Sequence, residues 1–454
     1  MQTGSHGGRQ MGVWSATAVV TGESISLGIF LTPAGMAKSL GSPALLAAIW
    51  CGMAFITLAG ALCYTELAVR NPQDGGEYLY LRRGFGRQPA FLYGWMAAVV
   101  MYPGIAAALC VGLVPYVQAL MPLPAPLAAC LPAILLLALG AMNFVGTRLN
   151  SGVMTALNWL KVPVLVALVG WALVFGHASV ANLTPLTTRR AGSDLLIAAI
   201  AGATISAFFT FGGWWEAGKI AGQVRDPRRT LPIAFAGGVL IVTAVYLLVS
   251  FAFVAVVPME KIQSNTAFVA QFGQALFGAA GGRVLAVCVL MCVLGGLMVL
   301  SMAVPRVTYA LAREESGGVG PLAIFGRLHP RFETPANAVL LQTGIALLVL
   351  GLGAFDHILA FIVFSAVCFL ALTVATLFRV EKEALRPWWH PWAAIVFLVG
   401  SGVLAAMLLM HSPGPSLLGA GIVLAGLPVR WLLVRRHGTT PAGKAAPEML
   451  AEPD

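Results

Sequence analysis

Few residues in this chain can do chemistry, and most of them stand where an apolar sequence has no cheap place for them. Glu23, Lys161, Glu216 and Lys219 fall in or beside long apolar runs. A charge at the centre of a bilayer costs about 2.5 to 3.5 kcal/mol on an insertion scale, so each implies a partner or a watery cavity. Glu23 lies in Gly22-Glu-Ser-Ile-Ser-Leu-Gly-Ile-Phe30, where two glycines, two serines and a glutamate crowd nine positions. Glycine costs a helix about 1 kcal/mol relative to alanine, and serine competes for backbone hydrogen bonds, so the stretch reads as a break in a membrane helix. A counterpart, Phe209-Thr-Phe-Gly-Gly-Trp-Trp215, interrupts the sixth apolar run. Irregular backbone at membrane depth is tolerated only where protein covers it or a cavity hydrates it. Freed N–H groups at a half-helix N-terminus favour an anion and freed carbonyls favour a cation, so the chemistry expected is binding. Two interrupted helices at matching places in two halves point to a carrier's midplane site.

The ionisable residues allow more than one reading. Lys161, in Leu157-Asn-Trp-Leu-Lys-Val-Pro-Val, sits well inside the fifth run. Its stem could snorkel to the headgroups about two turns away, or its ammonium could serve the site. Glu23 could pair with Lys161, bind a coupling proton if burial raises its pKa, or be hydrated by a vestibule. Glu216 and Lys219, three apart on one helix face, are spaced to pair.

Catalytic groupings are missing from the sequence. His6, His177, His329, His357, His390, His411 and His437 lie at or beyond the ends of the apolar runs. Cys51, Cys63, Cys110, Cys130, Cys288, Cys292 and Cys368 all lie inside those runs, where a free cysteine behaves as a small hydrophobe. Cys288 and Cys292 share a face, but no histidine or second cysteine pair joins them to make a metal site. No enzyme activity, metal or cofactor is expected, and a channel would need a ring of charges or carbonyls along an open pore.

The elements that must position these residues are membrane helices. Of 454 residues, 59% are hydrophobic and only 10% charged, far from the soluble average of roughly a quarter charged. About twelve runs can cross a hydrocarbon core that takes about 20 residues. They lie near Trp14 to Leu40, Pro43 to Ala68, Ala90 to Leu120, Leu127 to Val145, Gly152 to Phe175 and Leu195 to Ala217, then Pro232 to Val257, Val284 to Leu311, Ala336 to Gly353, His357 to Phe378, Trp392 to Met410 and Ser416 to Val434. The first run is too long for a cleavable signal and is expected to remain as helix 1. The fold class expected is an all-α polytopic membrane protein. Residues 1–10 read as a tail, 11–178 as a first repeat of five helices, 195–378 as a second, 391–434 as a peripheral hairpin and 435–454 as a disordered tail. Five spans per half makes the repeats inverted.

The net charge of +10 is distributed by loop. One set of alternate loops holds Arg70, Arg82, Arg83, Arg87, Arg148, Lys219, Arg225, Arg228, Arg229, Arg306, Arg313 and further basic residues to Lys444; the other holds only Lys38, Arg189, Arg190, Lys261 and Arg283. That asymmetry is the positive-inside pattern and puts both termini in the cytoplasm of a cell (inner) membrane, with no role for nucleic acid.

Four stretches together carry a family resemblance: Ser-Leu-Gly-Ile-Phe30; Glu66 to Gly86 followed by Ala90-Phe-Leu-Tyr-Gly-Trp95; Phe-Phe-Thr-Phe-Gly-Gly-Trp214 with Arg225-Asp-Pro-Arg-Arg-Thr-Leu-Pro232; and Pro305-Arg306 running to His329-Pro330 and Thr334-Pro335. In order and spacing they resemble the amino acid, polyamine and organocation (APC) transporter superfamily, in particular its L-type amino acid transporter-like branch. The resemblance implies five plus five inverted helices with helices 1 and 6 broken, two added helices, and alternating access around the breaks. In the family a substrate carboxylate rests on backbone amides of a Gly-Ser-Gly turn, and Ser26, Leu27 and Gly28 match those positions. Leucine at the centre keeps the backbone donors and removes a hydroxyl contact. Ile25, Phe209 and Gly212 are expected to lend carbonyls to the substrate ammonium, with Gly213 and Trp214 completing the helix 6 break. Phe209 also matches an aromatic that closes over substrate. Lys161 matches a helix 5 lysine that replaces sodium in sodium-independent members, with carbonyls of Gly22 and Ile25 as its partners. Gly222-Gln223 occupies a place where relatives carry glutamate near the inner gate.

The function implied is a sodium-independent amino acid transporter, whether permease, exchanger or proton symporter. The alternative is a polyamine or other organocation carrier, for which only Glu23 and Glu216 could face a dication. Phe209, Phe211, Trp214 and Trp215 suggest an apolar substrate side chain. Some eukaryotic members are disulfide-linked to a heavy chain through a cysteine between helices 3 and 4. Met121 to Pro126 has none, so no such ancillary subunit is expected.

Overall fold

The structure, a computed structural model, describes residues 11–25, 28–73, 75–145, 165–175, 178–262, 268–316, 321–353, 355–379 and 387–436. Among these are ten helices long and apolar enough to span a membrane and two shorter apolar ones, Leu165–Val174 and Ala336–Leu352, at the places of the fifth and ninth expected spans. The chain is an all-α polytopic membrane protein.

Helix 1 is discontinuous. Its first half, α1 (Val13–Ser24), ends at Ile25, and the second half resumes as α2 (Gly28–Leu31) and α3 (Pro33–Leu40), with Pro33 in the first turn of α3 and Gly41 closing it in the left-handed region. Then come α4 (Pro43–Arg70), capped by the Ser42 side chain, and the short α5 (Gly76–Phe85). Helix 3 is α6 (Arg87–Met96) and α7 (Tyr102–Leu120), joined by one buried π turn, Ala97–Met101. After α8 (Ala125–Val145) and α9 (Leu165–Val174), helix 6 begins as α10 (Leu196–Phe211) and continues past a break as a 3-10 segment, Trp214–Gln223.

The remaining helices are α11 (Pro227–Val256), α12 (Phe268–Ser316), α13 (Ala336–Val349), α14 (Phe355–Ala375), α15 (Trp392–His411), α16 (Pro413–Leu424) and α17 (Gly426–Arg436). Non-helical backbone at Gly278 divides α12 into a short leading piece and the span proper. The long α11 packs against both α1 and α4, while α10 packs against α3, α4 and α15. Trp50, Phe211 and Tyr246 form a fully buried aromatic group where α4, α10 and α11 meet, with ring centroids 5.1 to 6.0 Å apart. The two interrupted helices are thus clamped by continuous ones. Helices α15 and α16 lean on α14, α17 packs on α6, and α15 also reaches inward, setting Phe397 against Trp214.

Candidate functional site

The break in helix 6 falls at the paired glycines. Helical backbone stops at Phe211; Gly212 is extended (φ −51°, ψ 150°) and Gly213 takes φ +105°, ψ −21°, a conformation a side chain resists. Gly212 N–H donates to the Phe209 carbonyl at 3.0 Å, closing the end of α10. In helix 1, Ile25 is buried, with its N–H on the Thr21 carbonyl at 2.7 Å.

The breaks touch each other at glycines. A β-carbon on Gly28 would stand 2.6 Å from Thr210 Cα, and one on Gly213 would stand 2.6 Å from the Glu23 carbonyl oxygen. Only glycine permits either approach. Hydroxyls then tie the halves together. Thr32 and Thr210 share a hydrogen bond of 2.7 Å, buried from solvent. The Tyr246 hydroxyl lies 2.5 Å from the Ser24 carbonyl and 2.7 Å from that of Thr210, one carbonyl at the edge of each break. A buried hydrogen bond contributes about 1 kcal/mol net, and leaving its acceptor unpaired costs about 1 to 3 kcal/mol.

A cavity of about 1240 Å3 leads to this junction. Its inner wall includes Leu31, Thr32, Ile205 and Ser206, and Phe355 and Leu359 of α14 stand opposite. The half-buried Phe209 packs edge-on against Phe355 with centroids 6.1 Å apart, one turn beyond Ser206. The mouth carries Lys38, Asp194 and His411, all exposed, on the face opposite the arginine-rich loops.

On the basic face the second half of helix 6 is tied down. Met11 pairs with Val224 as a parallel bridge, its N–H donating to the Gln223 carbonyl at 3.1 Å and its carbonyl accepting from Arg225 N–H at 2.9 Å. Gly75 N–H reaches the Lys219 carbonyl at 3.3 Å, and the Tyr80 hydroxyl donates to the Gly218 carbonyl at 3.2 Å. Glu216 and Lys219 pair at 2.6 Å, as their spacing predicts, and Lys219 also donates to the Tyr102 hydroxyl at 2.9 Å. The site therefore has an open approach from one face and a closed seam at the other.

The residues expected from sequence divide into three groups. Ile25, Gly28, Phe209, Gly212 and Gly213 come together where the breaks meet. Gly22 and Glu23 follow on α1 with exposed side positions, and the Glu23 carbonyl is the atom that Gly213 approaches. Trp214 is buried between α4 and α15 against Tyr64 and Phe397. None of these expected residues lines the cavity itself, which stops at Leu31, Thr32, Ile205 and Ser206 beside the breaks. Ser26, Leu27 and Lys161 lie outside the described residues. Sequence reasoning missed Thr32, Thr210 and Tyr246. The two threonines were visible as hydroxyls within a few residues of a break, whereas Tyr246 gave no signal inside its apolar run.

Comparison with known proteins gives the family and the fold. Residues 11–432 fit the sequence pattern of the amino acid permease family. The serine/threonine exchanger SteT of Bacillus subtilis (strain 168) is 26% identical over 442 residues, covering 95% of this chain and 98% of that protein. The large neutral amino acids transporter small subunit 2 of Homo sapiens is 28% identical over 449 residues, covering 95% and 82%, and the b(0,+)-type amino acid transporter 1 of Mus musculus is 26% identical over 436, covering 94% and 88%. Among solved structures, MhsT in complex with L-phenylalanine superposes with a TM-score of 0.53 at 15% identity, covering 87% of this chain and 98% of that one, and so shares the fold. The chain belongs to the amino acid permease family.

Proposed function

We propose that this transporter is a sodium-independent exchanger of neutral amino acids that works by alternating access in a cell membrane, with its basic face and both termini in the cytoplasm. Amino acid transport follows from family membership, which sets aside the organocation reading. The observation that carries the rest is the cavity that runs from one face to the junction of two broken helices, while the other face is tied shut through Met11, Gly75 and Tyr80. A carrier caught open to one side has this form. Leu31, Ile205, Phe209, Phe355 and Leu359 near the junction suit a small or medium apolar side chain, and related proteins named for serine, threonine and large neutral amino acids agree with an uncharged one.

In this reading, backbone amides of Ser26, Leu27 and Gly28 hold the carboxylate and carbonyls of Ile25, Phe209 and Gly212 hold the ammonium. Lys161 takes the place of sodium beside Gly22 and Ile25. Glu23, exposed on α1, keeps its three possible roles. Residues 11–178 and 195–378 are the inverted repeats, and no disulfide-linked subunit is required. The test is uptake of a panel of labelled amino acids into proteoliposomes in sodium-free buffer, with and without unlabelled amino acid inside. Uptake of neutral amino acids that depends on preloading is expected. A sodium requirement, or equal uptake into empty vesicles, would overturn the sodium-free or the exchange part respectively.

A further inference from the structure

Glu77, on the basic face, is a fully buried acid for which, among the described residues, no partner meets good hydrogen-bond geometry. The residue is 0% exposed, and its own backbone N–H and the Tyr93 hydroxyl are the donors that face its carboxylate oxygens. It opens α5, the helix that seals the second half of helix 6: a β-carbon on neighbouring Gly76 would stand 2.7 Å from Lys219 Cγ. The titratable groups that face Glu77 are Lys219 and Glu216 from helix 6, Tyr93 and Tyr102 from helix 3, Tyr64 from α4 and Tyr80 from its own helix. Arg379 stacks on Phe85 at the far end of α5.

Two carboxylates thus share one ammonium, and Glu216 already holds it at 2.6 Å. With both acids ionised, the buried Glu77 would carry a negative charge that the quarter-exposed Glu216–Lys219 pair does not compensate, which is costly. One proton removes that cost. Burial pushes the Glu77 carboxyl up to about 7, with Lys219 opposing and the Glu216 charge adding to the rise.

We propose that Glu77 is a proton-binding site: it holds a proton while the seam between α5 and the second half of helix 6 is closed, and the carboxyl O–H gives that proton to water when the seam opens. The proton therefore stabilises the closed seam. That stabilisation is complete at acid pH and is lost as pH rises through the closed-state value near 7, so alkaline conditions favour opening. The gating half rests on the alternating-access reading above; proton binding itself does not.

Two measurements on the full chain in liposomes separate them. In infrared difference spectra between acid and alkaline buffer, a protonated-carboxyl band should titrate near neutrality, vanish in Glu77→Gln, and move to lower pH in Glu216→Gln, where Lys219 is left to Glu77 alone. A missing band, or one that survives Glu77→Gln, overturns the site. With the same pH on both sides, wild-type exchange should rise about tenfold from about pH 6 to pH 8, and Glu77→Gln should stay flat at the acid-side rate. A wild-type profile retained in Glu77→Gln overturns the gating. Absence of exchange at every pH, with the band present, counts against the carrier reading and leaves the proton site standing.

Discussion

At the scale of single residues, the Tyr246 hydroxyl is the contact that fixes the two breaks relative to each other, because it meets a carbonyl from each. Removing it in Tyr246→Phe keeps the ring against Trp50 and Phe211 and takes away the single O–H proton that the two buried carbonyls share. The half-saturation concentration for exchange is expected to rise about fivefold to tenfold, in line with about 1 to 1.5 kcal/mol, with the amount of folded protein unchanged. An unchanged concentration dependence would show that Tyr246 only fills space. Gly213→Ala acts more severely. It forces φ +105° on a residue with a β-carbon and drives that carbon into the Glu23 carbonyl, a strain of about 1 to 3 kcal/mol for the backbone alone. Loss of measurable exchange in a protein that still reaches the membrane is expected, and wild-type exchange would refute the close approach. Gly28 and Gly213 were legible because glycine in a hydrophobic run is a local anomaly. Tyr246 was not, since its partner Ser24 lies 222 residues away and only the fold brings them together.

At the scale of elements, both broken helices were legible from composition, and the structure places the helix 6 break at Gly212 and Gly213. What the sequence did not show is that the second half of helix 6 is a 3-10 segment held by Met11. A 3-10 helix has poorer hydrogen-bond geometry than an α-helix and rarely runs beyond three or four residues, so ten residues of it depend on outside contacts. The contact with Met11 was hidden because a single backbone bridge leaves no mark in side-chain pattern. Deleting residues 1–12 should loosen this segment. In a background with the native cysteines replaced, Val224→Cys, buried in the intact protein, should then react with a thiol reagent at least severalfold faster. Equal labelling with and without the deletion would mean that α5 alone holds the segment.

At the scale of the whole molecule, an apolar helix stands at the place of each expected span, although the first half of the fifth, Gly152 to Phe175, lies outside the described residues. Hydropathy does not say which face is open. The cavity ending at Lys38, Asp194 and His411, and the seam on the arginine-rich face, emerge only when distant helices are assembled. In the proposed mechanism a transported amino acid enters this cavity and stops where helices 1 and 6 break. The direct measurement is substrate protection of Ser206→Cys, on the cavity wall one turn before Phe209, in a background with the native cysteines replaced and without sodium. A membrane-impermeant thiol reagent should label it readily, and a transported neutral amino acid should slow labelling in proportion to its occupancy, with a non-transported one having no effect. Labelling that no amino acid slows, in protein that still exchanges amino acids, would place the substrate path elsewhere and contradict the account.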